Sequence, residues 1–467
     1  MATLIQHDGQ HLIDDRTFFG HPRGLAYLAF TEMWERFSYY GMSSLVVLFM
    51  VQELLLPGHI ENVVGMAPVR GALENLFGPL SPQALASQLF GLYGGLVYLT
   101  PILGGLIADR WLGAKRTVVI GVLLMTAGHF AMVFEQSFLL ALLLLILGSG
   151  CLKGNIAAQV RHLYGSTDES RATHGYVVFS TGINIGATAG PLACGLLAQI
   201  FGWHIGFGTA GVLMLVACAV YLAGQNYLPD EKPRGGVRLP NAPLTTDERR
   251  IVILLVMVMT LTVFPAFGYL QNSNVGMVWI AENVDLATSL GDVPVAWFVS
   301  IDAFASIFIA PVLIAFWRAQ AKRGAEPEDL SKIGIGAGLV ALSQAMLACA
   351  AYISGDGKAG IGLPIIAYFS TGIAWMWFWP VMLALVSRNA PKQIHAMMMG
   401  CAYLVVFVSS LSVGLLGSLY EKMTPTQFWL MSAAVPATGA LLIALFGPAL
   451  TRALAGPARF KPIGAPA

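Results

Sequence analysis

Twelve stretches of roughly twenty mostly apolar residues recur along this 467-residue chain. A helix of that length crosses the hydrocarbon core of a bilayer. There the backbone must satisfy its own hydrogen bonds, so only helices and closed barrels can span. The runs fall at 25–50, 87–109, 117–135, 138–160, 174–200, 203–224, 251–273, 295–317, 333–354, 361–387, 395–420 and 426–450. Composition agrees: only 11% of residues are charged, where a soluble chain has about a quarter. The expected fold class is an all-α membrane protein of twelve transmembrane helices.

The polar segments give this array its order. Residues 226–250, NYLPDEKPRGGVRLPNAPLTTDERR, read as a linker between two sets of six spans. The expected organisation is a tail at 1–24, a six-helix bundle at 25–225, the linker, a second bundle at 251–450 and a tail at 451–467. With the N-terminus placed in the cytoplasm, 21 of the 26 Lys and Arg fall in inside segments, three outside and two within spans. That asymmetry predicts both termini cytoplasmic. Residues 52–86 form a long outer loop whose PVRGALENLFGPL stretch reads as a short surface helix.

Several function classes are excluded. No basic run or reader motif points to nucleic acid. The first 24 residues contain no apolar signal core. The five cysteines, Cys151, Cys194, Cys218, Cys349 and Cys401, all lie in apolar runs and read as packing residues, with no disulfide framework. No metal-ligand spacing and no nucleophile motif stands in a supporting context, so neither an enzyme, a metal site nor an organic cofactor is expected.

Ionisable residues inside spans are few and therefore informative, since each is costly unless paired or wetted. They are Glu32, Glu35 and Arg36 in TEMWERFSYYGM (31–42), Lys153 in LGSGCLKGN and Asp302 in WFVSIDAFASIFIAP. Glu32, Glu35 and Arg36 share one helical face, and Tyr39 and Tyr40 continue it. Arg36 can pair with one glutamate as a structural ion pair. The second carboxylate then needs another cation or a proton, and Lys153, among small residues of the fourth span, is its natural partner. Two acids and two bases can trade protons and partners, as proton-coupled transport requires. His162 and His174 sit at cytoplasmic helix ends. His129 reads as a satisfied structural histidine.

GGLIADRWLGAKRT (104–117), with Asp109, resembles the G-x-L-A-D-R-x-x-G-x-K/R loop of the major facilitator superfamily, whose two halves rock about a midplane site. E-M-W-E-R-F-S-Y-Y-G resembles the E-x-x-E-R-F-x-Y-Y-G signature of that superfamily's proton-dependent oligopeptide transporters. LGSGCLKGN, FSTGINIGATAGP (179–191) and the SRNAP that ends eleven residues after Pro380 are similar to further stretches of the same family. The resemblance implies proton coupling at Glu32 and Glu35. It implies a peptide carboxylate held by Arg36 and Lys153 with Tyr39, Tyr40 and Asn184 nearby.

The second half departs from the family pattern. Leu270 precedes Gln271 where an acid is usual, and Trp375 stands at the tenth-helix glutamate position. Asp302 occupies a place where relatives carry asparagine. Asp302, with Gln271, is the candidate for the peptide ammonium; the alternative is a protonated acid bonded to backbone. Tyr98 and Trp375 are candidate pocket residues, as are Tyr93, Trp377 and Trp379, although each could equally face lipid or core.

The reading is a plasma-membrane symporter of di- and tripeptides, monomeric, with protons as coupling ion and peptides and the bilayer as partners. A carrier of a small anion such as nitrate or a carboxylate, and a non-transporting peptide sensor, remain as alternatives.

Overall fold

The computed structural model describes residues 3–7, 10–14, 16–164, 168–229, 243–289 and 291–455. Residues 230–242 of the expected linker and 456–467 of the expected second tail fall outside them. The first half contains α1 (Arg23–Phe49), α2 (Met66–Phe77), α3 (Pro82–Ile107), α4 (Ala114–Ala131), α5 (Phe138–His162), α6 (Glu169–Phe201) and α7 (Trp203–Gly224). The second contains α8 (Thr246–Gln271), α9 (Val275–Asn283), α10 (Trp297–Lys322), α11 (Asp329–Ser354), α12 (Gly362–Asn389), α13 (His395–Gly417) and α14 (Pro425–Ala455). Three two-stranded pairs complete the described residues.

Among the described residues, ten helical segments are long and apolar enough to cross a membrane. The sequence count of twelve adds α1 and α4. The stripe from Glu32 to Tyr40 lowers the mean hydropathy of α1, and α4, only 18 residues long, opens on Lys115 and Arg116.

The packing repeats. In the first half α1 lies against α6 and α7, α4 against α5 and α7, and α3 against α5. In the second half α8 lies against α13 and α14, α11 against α12 and α14, and α10 against α12. The halves meet where α3 packs on α13 and α6 on α10. Each of these contacts has its counterpart in the other half, as in carriers built from structural repeats.

The two seams are close. A Cβ on Gly91 would stand 2.5 Å from the Ser410 carbonyl oxygen, and one on Gly195 2.5 Å from the Ala296 Cβ. Only residues without side chains permit such an approach. Neutral hydrogen bonds finish the seams. Gln83 donates to the Gly417 carbonyl at 3.2 Å and Trp297 Nε1 to the Leu192 carbonyl at 3.0 Å. Ser300 Oγ donates to the Thr188 carbonyl at 2.7 Å. These contacts sit toward the face that carries α2.

The seventh span differs from its expected form. It does not stop at 273 but breaks at 272–274 and resumes as α9, ending at Asn283. The broken backbone is satisfied by neighbouring helices. Tyr368 Oη donates to the Asn272 carbonyl at 2.8 Å, Asn272 Nδ2 to Thr371 at 3.0 Å and Gln344 Nε2 to Asn272 Oδ1 at 2.8 Å. Ser87 of α3 donates to Asn274 Oδ1 at 3.2 Å. A buried break is tolerated in a membrane when its polar groups find such partners.

The surface helix expected in the long outer loop is present as α2. Ser81 caps the following helix, its hydroxyl accepting from the Ala84 N–H at 3.1 Å. The Arg70 side chain, and then the Leu80 N–H, hold the Glu74 carboxyl below its ordinary range.

Candidate functional site

The charged stripe of α1 is buried against its neighbours. Glu35 is fully buried, and Glu32 and Arg36 are about 5–6% exposed. Arg36 Nε lies 3.1 Å from Glu32 Oε1 and also pairs with Glu35. The sequence expectation for this cluster is therefore corrected: both glutamates share Arg36, and Lys153 does not take the second. Helix spacing explains the outcome, because i−4 and i−1 neighbours both reach one guanidinium from the same helix.

Lys153 meets aromatic faces instead. Its Nζ is 4.5 Å from the ring centroid of Tyr39 and 4.4 Å from that of Tyr98, and it has no hydrogen-bond partner among the described residues. Arg36 lies 5.4 Å from the same Tyr39 ring. Tyr39 thus touches both cations, and a cation over a desolvated aromatic face is held by the ring quadrupole.

Between the halves lies a cavity of about 210 Å³. From the first half it is bordered by Tyr39, Tyr40, Tyr93, Tyr98 and Asn184; from the second by Tyr269, Asp302 and Trp375. Neither Arg36, Lys153 nor the two glutamates border this cavity; Tyr39 and Tyr98, which contact the two cations, do. Asp302 stands on the opposite wall, which Tyr269 also borders. Tyr269 packs tilted on Trp375 with centroids 4.3 Å apart, and Trp375 stacks on Trp379 at 5.2 Å.

Seven of the candidate residues therefore line one cavity: Tyr39, Tyr40, Tyr93, Tyr98, Asn184, Asp302 and Trp375. Gln271 does not. It is fully buried, with neither side-chain atom hydrogen-bonded, and its neighbours Tyr269 and Leu270 face the cavity in its place. Trp377 packs edge-on against Trp317 rather than into the cavity. His129 also differs from expectation: it is fully buried, yet neither ring nitrogen has a partner among the described residues. Sequence reasoning missed Tyr269 and the hydroxyls of Ser43, Ser306 and Ser410. The signal for Tyr269 was its place beside the Leu270–Gln271 pair. The serines carried none, since a lone serine in an apolar run is common.

A cavity at the junction of two repeated helical bundles, with cations behind one wall and an acid on the other, defines a carrier rather than an enzyme. The profile of the Major Facilitator Superfamily matches residues 35–414. The peptide transporter YePEPT of Yersinia enterocolitica is 28% identical, over 93% of this chain and 95% of that protein. A di-/tripeptide transporter of Lactococcus lactis is 35% identical, over 61% of this chain and 53% of its own length. The crystal structure of a peptide transporter POT in complex with sulfate superposes with a TM-score of 0.82 at 25% identity, covering 93% of this chain and 96% of that one. A POT family transporter in complex with 5-aminolevulinic acid has the same fold, with a TM-score of 0.82 at 24% identity over 94% of this chain and 98% of that one. The chain belongs to the major facilitator superfamily.

Proposed function

We propose that the protein is a proton-coupled symporter that moves di- and tripeptides by alternating access. It works as a twelve-span monomer in the plasma membrane, with both termini cytoplasmic and bundles at 25–225 and 251–450. No cofactor other than the coupling proton is required. The observation that carries this reading is the polarity of the cavity. Lys153 and Arg36 stand behind Tyr39 and Tyr98 on one side, and Asp302 faces in from the other. A zwitterion of two or three residues has the matching polarity, with its carboxylate toward the first half and its ammonium toward Asp302. The relatives named as peptide transporters support the same substrate class.

The glutamates supply the coupling. Arg36 is engaged by Glu32 and Glu35. A proton delivered to either acid releases part of the guanidinium, which then engages the substrate carboxylate bidentately together with the Lys153 ammonium. Proton and peptide each favour the other's binding, and such coupling is reciprocal by linkage. Tyr39 and Tyr98 must turn aside for the cations to reach the cavity. Asn184 and Tyr40 then donate from its rim, and the bundles close about the bound molecule.

The deciding experiment is dialanine uptake into proteoliposomes with and without an imposed pH gradient. Accumulation above equilibrium only with the gradient is the expected result. Equal uptake in both conditions sinks the coupling. A small-anion carrier is the second reading, favoured by Trp375 replacing an acid in the second half and by the sulfate complex of a structural relative. Preferential uptake of labelled nitrate over labelled dialanine would establish it instead. Binding without any accumulation would identify a sensor.

A further inference from the structure

Far from the cavity, four residues with no motif spacing converge at the face that carries α2. Glu53 lies on the turn that extends α1, His59 on the loop that follows, Glu135 on the turn between α4 and α5, and His204 in the first turn of α7. Ligand atoms of Glu53, His59 and Glu135 all lie within 4.8 Å of one another. His59 Nδ1 is 2.6 Å from Glu135 Oε1, and His204 Nε2 is 3.6 Å from Glu53 Oε1. The transport reading uses none of them.

We propose that Glu53, His59 and Glu135 form a binding site for a borderline divalent cation of the zinc class, with His204 or water at the fourth position. Imidazole and carboxylate are the donor set such ions take in tetrahedral sites. Bonds of about 2.0–2.2 Å place neighbouring ligand atoms roughly 3.4 Å apart. The two measured pairs lie on either side of that value, so small side-chain rotations suffice.

The surroundings also suit a cation. His59 stands among the carboxylates of Glu135, Glu53 and Glu61. The loop is already folded around the cluster. Glu61 accepts from the Gly58 N–H at 2.8 Å, and the Val64 N–H donates to the Gln136 carbonyl at 3.1 Å. Asn62 Nδ2 stands 3.4 Å from the second oxygen of Glu135, a position from which it orients that ligand. The His204 ring packs edge-on against Phe49, with centroids 6.2 Å apart, and its side chain is 46% exposed, so it can turn without disturbing the core.

A bound ion would fasten the end of α1 to the starts of α5 and α7, bracing the helix that carries Glu32, Glu35 and Arg36. The site was invisible in sequence because Glu53 and His204 are 151 positions apart.

The test is titration of the purified, untagged full chain with ZnCl2 in competition with a chromophoric chelator, repeated with CoCl2 to read coordination by absorbance. One equivalent is expected, with tetrahedral cobalt bands. His59→Gln and Glu135→Gln should each weaken binding by about tenfold or more. The His7→Gln, His11→Gln double variant should bind as the parent does. Melting curves in EDTA establish that the variants fold. Should His59→Gln or Glu135→Gln fail to fold, Glu53→Gln combined with His204→Gln, which removes one ligand and the ring beside it, must show the same loss. Absence of a stoichiometric site in the parent, or parental affinity in the folded variants, overturns the proposal.

Discussion

The two walls of the cavity are built on different principles. Behind the first, on α1 and α5, two acids and Arg36 are packed almost out of solvent beside a partly buried Lys153, with Tyr39 and Tyr98 against the cations. The second, on α8, α10 and α12, offers one acid amid packed aromatics, Tyr269, Trp375 and Trp379. Equivalent packing in the two halves therefore supports unequal chemistry. The first side can redistribute protons among several groups, whereas the second can present one carboxylate and shape the space around it. A repeated scaffold does not impose a repeated site, because packing is set by helix surfaces and chemistry by a few inward positions.

The contrast can be broken most forcefully at Arg36. Arg36→Leu leaves two buried carboxylates without a cation and should cost about 3–5 kcal/mol of stability, a figure typical of severing a buried ion pair. Thermal melting in detergent reads this, and an unchanged midpoint would show that the first wall is not held by ions. Glu35→Gln comes next. It should fold normally yet lose gradient-driven accumulation down to the equilibrium level, while counterflow exchange of labelled for unlabelled dipeptide persists. Full accumulation by Glu35→Gln together with Glu32→Gln would remove the coupling role.

On the second wall the expected effect is smaller. Asp302→Asn should weaken competition by a dipeptide with a free amino terminus by about tenfold, the scale of one lost charged hydrogen bond, and leave an N-acetylated dipeptide unaffected. If both peptides respond alike, Asp302 acts on structure rather than on the ammonium. Adding Trp375→Glu to that variant sharpens the question, since recovered affinity would show that the wall needs an acid but not at one fixed place. The smallest effect belongs outside both walls. Ser81→Ala removes the cap of α3 and should cost about 1 kcal/mol, visible as a slight fall in melting midpoint with transport unchanged.

The fold was more legible than the site for a physical reason. A bilayer imposes its length on every helix it admits, so apolar runs disclose spans directly. The seventh misled, because Asn272 and Asn274 look like a terminus until Tyr368, Thr371, Gln344 and Ser87 are seen to satisfy them. The α1 stripe was equally readable from its i, i+3, i+4 spacing. What could not be read was partnership across helices. Nothing local to Lys153 says that it meets two tyrosine faces rather than a carboxylate. Nothing local to Gln271 says that Tyr269 occupies the cavity wall in its place.

The seams between the halves carry one further implication. The contacts named there are backbone approaches at glycine and hydrogen bonds between neutral groups. Dissolved ions do not screen such contacts, and protons do not titrate them. Those contacts are therefore indifferent to ionic strength and to the acidity of the medium they meet.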